Sequence, residues 1–112
     1  MPYIKVETNG QIPDTGLFLE KLSARAAEIL GKPERYIMTA LHKNTSMFFA
    51  GSNMPTLFME CKSIGLSEAQ TKDLSRAFCK FVESELGIPA DRVYIEFTGA
   101  SGAMWGFNND TF

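Results

Sequence analysis

The sequence predicts an α+β fold in which two βαβ units follow one another and place two helices on one face of a four-stranded mixed sheet. Two observations carry this prediction. The pattern Leu-Gly-x-Pro at residues 30–33 recurs at residues 86–89, which is half of the 112-residue chain later. Apolar residues also recur at helical spacing before each copy, with short extended segments on either side. A strand, a crossover helix and a second strand in each half predict parallel pairing within each unit.

The first half, about residues 1–55, contains a strand, a helix and a second strand. Residues 3–8 alternate, with Ile4 and Val6 on one face of the predicted strand. A helix is predicted from Leu17 to Leu30, and Gly31 supplies the left-handed residue that ends it. Residues 36–42 form the second predicted strand, and residues 47–50 are a weaker candidate. The apolar stripe of the helix consists of Phe18, Leu22, Ala26, Ile29 and Leu30.

The second half, about residues 56–112, repeats this order within the same single domain. Residues 56–64 form a predicted strand, and Ser67 followed by Gln70 is the capping box that starts a helix. Gly87 ends this helix, Pro89 prevents its continuation, and residues 93–97 form the last predicted strand. The stripe of the second helix consists of Leu74, Ala77, Phe78, Phe81, Val82 and Leu86.

The C-terminal segment has no helical or strand period and is rich in glycine, asparagine and aromatic residues. A sheet with helices on one face leaves its other face and its edges open to water. Apolar groups on a turn-rich tail are typical of a docking surface, so the pattern favours an oligomer. The alternative is that the tail folds back on its own core. The apolar residues concerned are Met104, Trp105, Phe107 and Phe112.

Composition excludes several classes of function. The net charge of −2 gives no electrostatic reason to bind nucleic acid or an anionic membrane. No apolar run reaches the ~20 residues of a membrane span. Lys5 and Glu7 interrupt the first apolar segment, so no secretory signal is predicted and a cytoplasmic protein is expected. Cys61 and Cys79 make neither a disulfide framework nor a metal site, and we expect no metal and no cofactor.

Pro2 is the first candidate for chemistry, because it directly follows the initiator Met1. Aminopeptidases usually remove an initiator methionine that precedes a small residue such as proline, which would leave Pro2 as a free secondary amine. Burial beside a positive charge lowers the pKa of an amine toward neutrality. Such an amine can serve as a general base or as a nucleophile. The alternative is that Met-Pro is simply the start of the chain and has no catalytic role.

Lys32 is the second candidate, because it stands within the repeated Leu-Gly-x-Pro pattern but is not itself repeated. The glycine and the proline around it occur in both halves, but the equivalent position in the second half is Ile88. The fold therefore does not require lysine there. A lysine at the end of a helix is also favoured by the helix dipole, which is the structural alternative. The functional interpretation is a cation that lowers the pKa of Pro2 and binds an anionic substrate.

Five segments of the chain resemble one known family in their order and spacing. They are Met1-Pro2 at the start of a strand, Gly31-Lys32-Pro33, Ser63-Ile64-Gly65, residues 91–95 (Asp-Arg-Val-Tyr-Ile) and residues 106–112 (Gly-Phe-Asn-Asn-Asp-Thr-Phe). Together they resemble the macrophage migration inhibitory factor family, within the tautomerase superfamily whose members use an N-terminal proline. The resemblance covers the whole chain. No single segment is specific, whereas five in register are.

The resemblance implies a homotrimer of duplicated subunits whose sheets form an inner barrel, with active sites between neighbouring subunits. Pro2 matches the catalytic base of the family, and Lys32 matches the lysine that binds the substrate carboxylate. Ile64 matches a position that lines the pocket. Tyr94 matches a pocket tyrosine from the adjacent subunit, and Phe112 matches an aromatic residue near the mouth of the site.

The chain also departs from the family pattern at the expected site. Glu96 stands where the family commonly has asparagine, and a carboxylate accepts hydrogen bonds but cannot donate one. Tyr3 replaces a common methionine and Phe107 a common tryptophan, which keeps an apolar wall of different shape. Trp105 stands near a smaller family residue and is expected to narrow the pocket. Residues 55–59 lack the Cys-x-x-Cys motif of mammalian members, so redox activity by that route is not supported.

These observations predict a keto–enol tautomerase, an isomerase that acts on phenylpyruvate-like or dopachrome-like compounds. Pro2 is the expected general base after removal of Met1, and the expected partners are two further copies of the chain and a small aromatic keto acid. The resemblance leaves one alternative from another class, a cytokine-like protein released without a leader, with weak or vestigial activity. A structural trimer with a degenerate pocket is a third reading, which Glu96 favours.

Overall fold

The computed structural model describes residues 1–112 and contains two helices on one face of a four-stranded sheet. The strands are β1 (Tyr3–Thr8), β2 (Met38–His42), β3 (Leu57–Ile64) and β4 (Val93–Ala100), and the helices are α1 (Thr15–Leu30) and α2 (Glu68–Leu86). The strand order is β2-β1-β3-β4. β1 pairs with β2 and β3 with β4 in parallel, whereas β1 and β3 are antiparallel. The predicted mixed sheet of two βαβ units is therefore confirmed.

The core lies between the helices and one face of the sheet. Alternate residues of β1 and β3 point into it, and both strands show strict alternation of buried and half-buried positions. From the helices, Phe18 of α1 meets Phe81 of α2 with ring centroids 5.9 Å apart. Cys61 belongs to this core, and burial raises the pKa of its thiol to about 12. Cys79, on α2, is half-buried.

Both helices begin and end as their sequences predict, with one extension. The α1 helix starts two residues before the predicted Leu17, because the Asp14 carboxylate accepts the Leu17 N–H at 3.0 Å and caps the first turn. In α2, Gln70 Oε1 accepts the backbone N–H of Ser67 at 3.0 Å, as the capping box predicts. Gly31 and Gly87 end the helices with φ of 64° and 69°.

Two strand predictions need correction. The first concerns the loop after α1, and the second concerns the segment after β2. Tyr36 and Ile37, predicted as strand, lie in and just after a 3-10 turn at Glu34–Tyr36, because their N–H groups donate to Pro33 and Glu34 carbonyls. These two N–H groups therefore cannot donate to a neighbouring strand. Residues 47–50 form only a single bridge between Phe49 and Ser52, since the backbone turns at positions 50 and 51 with φ of 54° and 73°. The prediction of a strand there was wrong.

The other strand boundaries differ by smaller amounts. β3 starts at Leu57 rather than Thr56, and β4 extends three residues past the predicted end at Phe97. The C-terminal segment, for which no regular structure was predicted, forms a 3-10 turn at Gly102–Met104 and a short hairpin of β5 (Gly106–Phe107) and β6 (Asp110–Thr111). Two asparagines at positions 108 and 109 have φ of 53° and 64°, as a two-residue hairpin turn requires.

The second face of the sheet is not covered by any element of the chain. It carries a row of charged side chains. The ammonium group of Lys5 lies 3.6 Å from the carboxylate of Glu7 and 3.8 Å from the carboxylate of Glu60. Tyr94 is 62% exposed on β4, and Met38 is 64% exposed on β2. Neither helix is long and apolar enough to cross a membrane.

Candidate active site

A cavity of about 240 Å³ opens where β1 begins. Four parts of the chain meet there: the N-terminus, the loop between α1 and β2, the first residue of β2 and the C-terminal hairpin. Eight of its eleven lining residues are hydrophobic. The lining residues are Met1, Pro2, Tyr3, Arg35, Tyr36, Ile37, Met38, Trp105, Gly106, Phe107 and Phe112.

The sheet holds the N-terminus against this cavity. Pro2 is fully buried, and its carbonyl accepts the N–H of Met38 at 3.0 Å, which extends the pairing of β1 with β2 by one residue. The amine of Met1 donates to the Tyr36 carbonyl at 2.6 Å. While Met1 is attached, the nitrogen of Pro2 is an amide that cannot accept a proton. Loss of Met1 would leave a secondary amine at the cavity wall, held in place by the sheet.

Lys32 places a positive charge near the N-terminus. The residue follows the left-handed cap of α1, and its ammonium group donates to the carbonyl of Ile64 at the end of β3, at 3.4 Å. Burial lowers the pKa of the Met1 amine, and the charge of Lys32 lowers it further. Any amine at this position would be affected in the same direction, because both causes disfavour its protonated form.

The repeat makes the position of Lys32 more informative. Its counterpart Ile88 is 1% exposed and packs in the core, where its side chain approaches Gly10. The same place in the two βαβ units therefore holds a core residue in one half and a cation in the other. The helix dipole alone explains a cation here, but it does not explain the hydrogen bond to Ile64.

Aromatic rings form one wall of the cavity. Phe107 and Phe112 stack with centroids 5.1 Å apart and planes 9° apart. Tyr36 meets both rings edge-on, at 5.6 Å and 5.4 Å. The hairpin holds this wall in place, and the N–H of Phe112 donates to the Trp105 carbonyl at 3.2 Å. Such a wall suits a flat, apolar group and excludes water from the amine.

The structure brings together most of the residues that the sequence singled out. Pro2, Tyr3, Trp105, Phe107 and Phe112 line the one cavity. Lys32 and Ile64 are not among its lining residues. They are joined by a hydrogen bond to each other, and the charge of Lys32 acts on the N-terminus.

Tyr94 and Glu96 lie elsewhere in the single chain. Tyr94 of β4 is paired with Phe58 of β3, and Phe58 is paired with Glu7 near the far end of β1. At about 3.3 Å per residue, this is on the order of 16 Å along the strand from Pro2. Tyr94 packs against Phe49 with centroids 4.7 Å apart, and Glu96 is exposed without an ion pair. Their expected contribution to the cavity of a neighbouring subunit stays a prediction.

Sequence reasoning missed four lining residues that are consecutive in the chain: Arg35, Tyr36, Ile37 and Met38. Tyr36 and Ile37 were predicted to be in a strand, and that prediction gave no reason to place them at the cavity. A signal was present, because parallel pairing of the first two strands brings residues after Pro33 beside the N-terminus. The register then places Met38 opposite Tyr3.

The hairpin wall depends on a close backbone contact at Gly102. A Cβ atom at this position would collide with the main-chain oxygen of Phe112. We therefore expect Gly102→Ala to displace the C-terminal strand and to shift the fluorescence of Trp105, the one tryptophan of the chain. Gly16→Ala is the matched control, since a Cβ there meets only Asp14 at 3.7 Å. Equal emission maxima for the two variants would contradict this role of Gly102.

Comparison with known proteins places the chain in a family. The family model described as macrophage migration inhibitory factor matches residues 1–112. A homologue of that factor from Brugia malayi is 35% identical and is covered over 99% of its length by the whole of this chain. The crystal structure of a homologue from Prochlorococcus marinus is similar with a TM-score of 0.89 and 41% identity, over 98% of both chains. The Trichinella spiralis structure has a TM-score of 0.90 and 31% identity, over 98% of this chain and 99% of its own. The chain therefore belongs to the macrophage migration inhibitory factor family.

Proposed function

We propose that this protein is a tautomerase that interconverts the keto and enol forms of small aromatic α-keto acids such as phenylpyruvate, with dopachrome-like compounds as a related class. The observation that carries the proposal is the placement of Pro2. It is fully buried at the wall of an aromatic cavity, next to the Met1 amine, whose pKa is lowered by burial and by the charge of Lys32. Family membership supports this class of activity.

The reaction requires only one proton to move. After loss of Met1, the neutral nitrogen of Pro2 takes a proton from the oxygen of the enol or from the carbon next to the ketone. The electron pair of the broken bond enters the conjugated system, which becomes an enolate. The prolinium then returns the proton to the other atom, so the product is an isomer of the substrate. No co-reactant is consumed, and the base is restored in each cycle.

Lys32 would bind and orient the carboxylate of the substrate. One proton of its ammonium group is donated to the Ile64 carbonyl, and the other two remain available for a carboxylate. The substrate ring would then lie against Tyr36, Phe107 and Phe112. In this pose the reacting carbon would lie between the cation and the aromatic wall, beside the nitrogen of Pro2.

We further propose that the active unit is a homotrimer in which Tyr94 and Glu96 reach the cavity of a neighbouring subunit. The uncovered sheet face and the exposed Tyr94 support an assembly of this kind, because a lone chain would leave both in water. Glu96 would repel an anionic substrate, so a low rate with phenylpyruvate is compatible with the proposal.

A second candidate function is signalling. The relatives carry the name of a factor that inhibits macrophage migration, which supports a cytokine-like protein. Such an activity would depend on surface residues and would survive Pro2→Gly, whereas tautomerisation would not. A structural assembly with a degenerate pocket would show neither activity.

The direct test of the proposed function is a rate measurement. The enol of phenylpyruvate absorbs in the ultraviolet, and its loss can be followed after adding protein whose mass shows that Met1 has been removed. We expect loss faster than in buffer, with a rate that saturates as substrate increases. A rate equal to that in buffer, for protein of the correct mass, would contradict the proposal.

A further inference from the structure

Arg35 is the one charged side chain that lines the cavity. Its guanidinium lies 4.7 Å from the centre of the Tyr36 ring, in the geometry of a cation–π contact. Tyr36 in turn meets Phe107 and Phe112, the rings expected to hold the substrate. Arg35 therefore lies on the aromatic side of the cavity, whereas the ammonium group of Lys32 is bound to Ile64 at the end of β3.

The other three arginines of the chain have protein partners. Arg25 pairs with Glu28 at 2.7 Å and Arg76 with Asp73 at 3.4 Å. Arg92 donates to the backbone carbonyls of Pro55, Phe49, Ser52 and Met54. Arg35 has no carboxylate within ion-pair distance and no hydrogen-bond partner, although Glu34 precedes it in the chain. Its five N–H donors remain available at the exposed rim of the cavity.

A free guanidinium beside an aromatic wall has a defined ligand chemistry. It binds a carboxylate through two parallel N–H···O bonds, and stacking on a ring restricts its orientation. Arg35 lines the cavity, and Lys32 lies outside its lining but acts through its charge on the N-terminus. A ligand with two anionic groups separated by an aromatic ring would use both cations. A monoanionic keto acid uses only one of them.

We propose that Arg35 is a specificity-determining residue that makes this site prefer aromatic α-keto acids carrying a second carboxylate on the ring. The inference rests on the proposed function, because it takes Lys32 as the partner of the keto-acid carboxylate. The ring then lies against Tyr36, and a carboxylate opposite the side chain reaches the guanidinium at the rim. Its attraction to Arg35 must exceed the repulsion expected from Glu96 of a neighbouring subunit. The reaction itself is unchanged, since the second carboxylate takes no part in the proton transfer.

The test compares phenylpyruvate with 4-carboxyphenylpyruvate. For the wild-type protein we expect a kcat/KM about two- to fivefold higher for the dicarboxylate, because an exposed charged pair contributes modestly. Arg35→Gln should reduce the ratio of the two kcat/KM values to about one, mainly through KM. Arg35→Lys should retain part of the preference. Arg76→Gln is the matched control and should keep the wild-type ratio, because Arg76 lies on α2 and pairs with Asp73.

Two results would overturn the role of Arg35. A wild-type ratio of one or below would show that the site has no preference for the second carboxylate. An equal fall for both substrates in Arg35→Gln would show that Arg35 binds the keto-acid carboxylate instead.

A binding measurement separates this inference from the proposed function. Quenching of Trp105 fluorescence by benzoate and by terephthalate, neither of which can tautomerise, reports the preference without turnover. Turnover without a preference would contradict the role of Arg35 alone. If neither keto acid turns over, the proposed function fails. A terephthalate preference lost in Arg35→Gln would then still support Arg35 as the selector, and equal binding of the two acids would overturn it.

Discussion

Replacing Pro2 by glycine is expected to lower kcat/KM for phenylpyruvate by about 10²-fold, at the lower end of what a general base contributes. Glycine would still supply an N-terminal amine, but a primary one on a more flexible residue. The ring of Pro2 is fully buried, so its removal also admits water to the amine. Ultraviolet rates on the enol, with the mass of each protein measured first, give this result directly.

The matched control for this variant is Pro13→Gly. Pro13 is exposed in the loop before α1 and lies outside the cavity, so its replacement should leave the rate unchanged. Circular dichroism of both variants checks that the fold is retained. Equal rates for wild type and Pro2→Gly, with Met1 absent from both, would rule out Pro2 as the base.

Replacing Lys32 by glutamine is expected to have the second largest effect, a fall in kcat/KM of about 10- to 10²-fold. The range corresponds to loss of a hydrogen bond to a charged group, at about 1.5–3 kcal/mol. Most of the change should appear in KM, because the carboxylate is bound in both the ground state and the transition state. Lys43→Gln is the control, since Lys43 is exposed and has no ion-pair partner.

The same variant should change the pH profile in a defined direction. A base is active only when neutral, so kcat/KM rises with pH through the pKa of the amine. Lys32 lowers the pKa of the Met1 amine in addition to the effect of burial, and we expect the same direction for the Pro2 amine once Met1 is removed. Removing its charge should raise that pKa and move the rising limb to higher pH. An unchanged limb in Lys32→Gln would mean that Lys32 does not act on the base.

The elements that the sequence predicted well are those with strong local signals. The helices follow from their apolar stripes and from Gly31 and Gly87, and the capping box at Ser67 marks the start of α2. Errors occurred where a local hydrogen bond or a left-handed residue overrides the apolar pattern. The 3-10 turn after Pro33 consumed two predicted strand residues, and the turn at Ala50 ended a predicted strand.

The candidate site was predictable in part as a set of residues but not as a set of contacts. Pro2 and Lys32 could be singled out, because the first follows Met1 and the second differs from its repeat partner. The hairpin could have been inferred from the two asparagines at positions 108 and 109. The position of Arg35 over Tyr36 could not, because it depends on side-chain directions in a turn that was predicted as strand.

The most direct test of the central claim blocks the amine of Pro2 without changing any side chain of the site. One alanine inserted between Met1 and Pro2 leaves Pro2 as an amide whether or not Met1 is removed. If the free amine of Pro2 is the base, this chain should consume the phenylpyruvate enol at least about 10²-fold more slowly than the chain that begins at Pro2. Equal rates for the two chains, with both masses verified, would contradict the claim that Pro2 acts as the terminal residue.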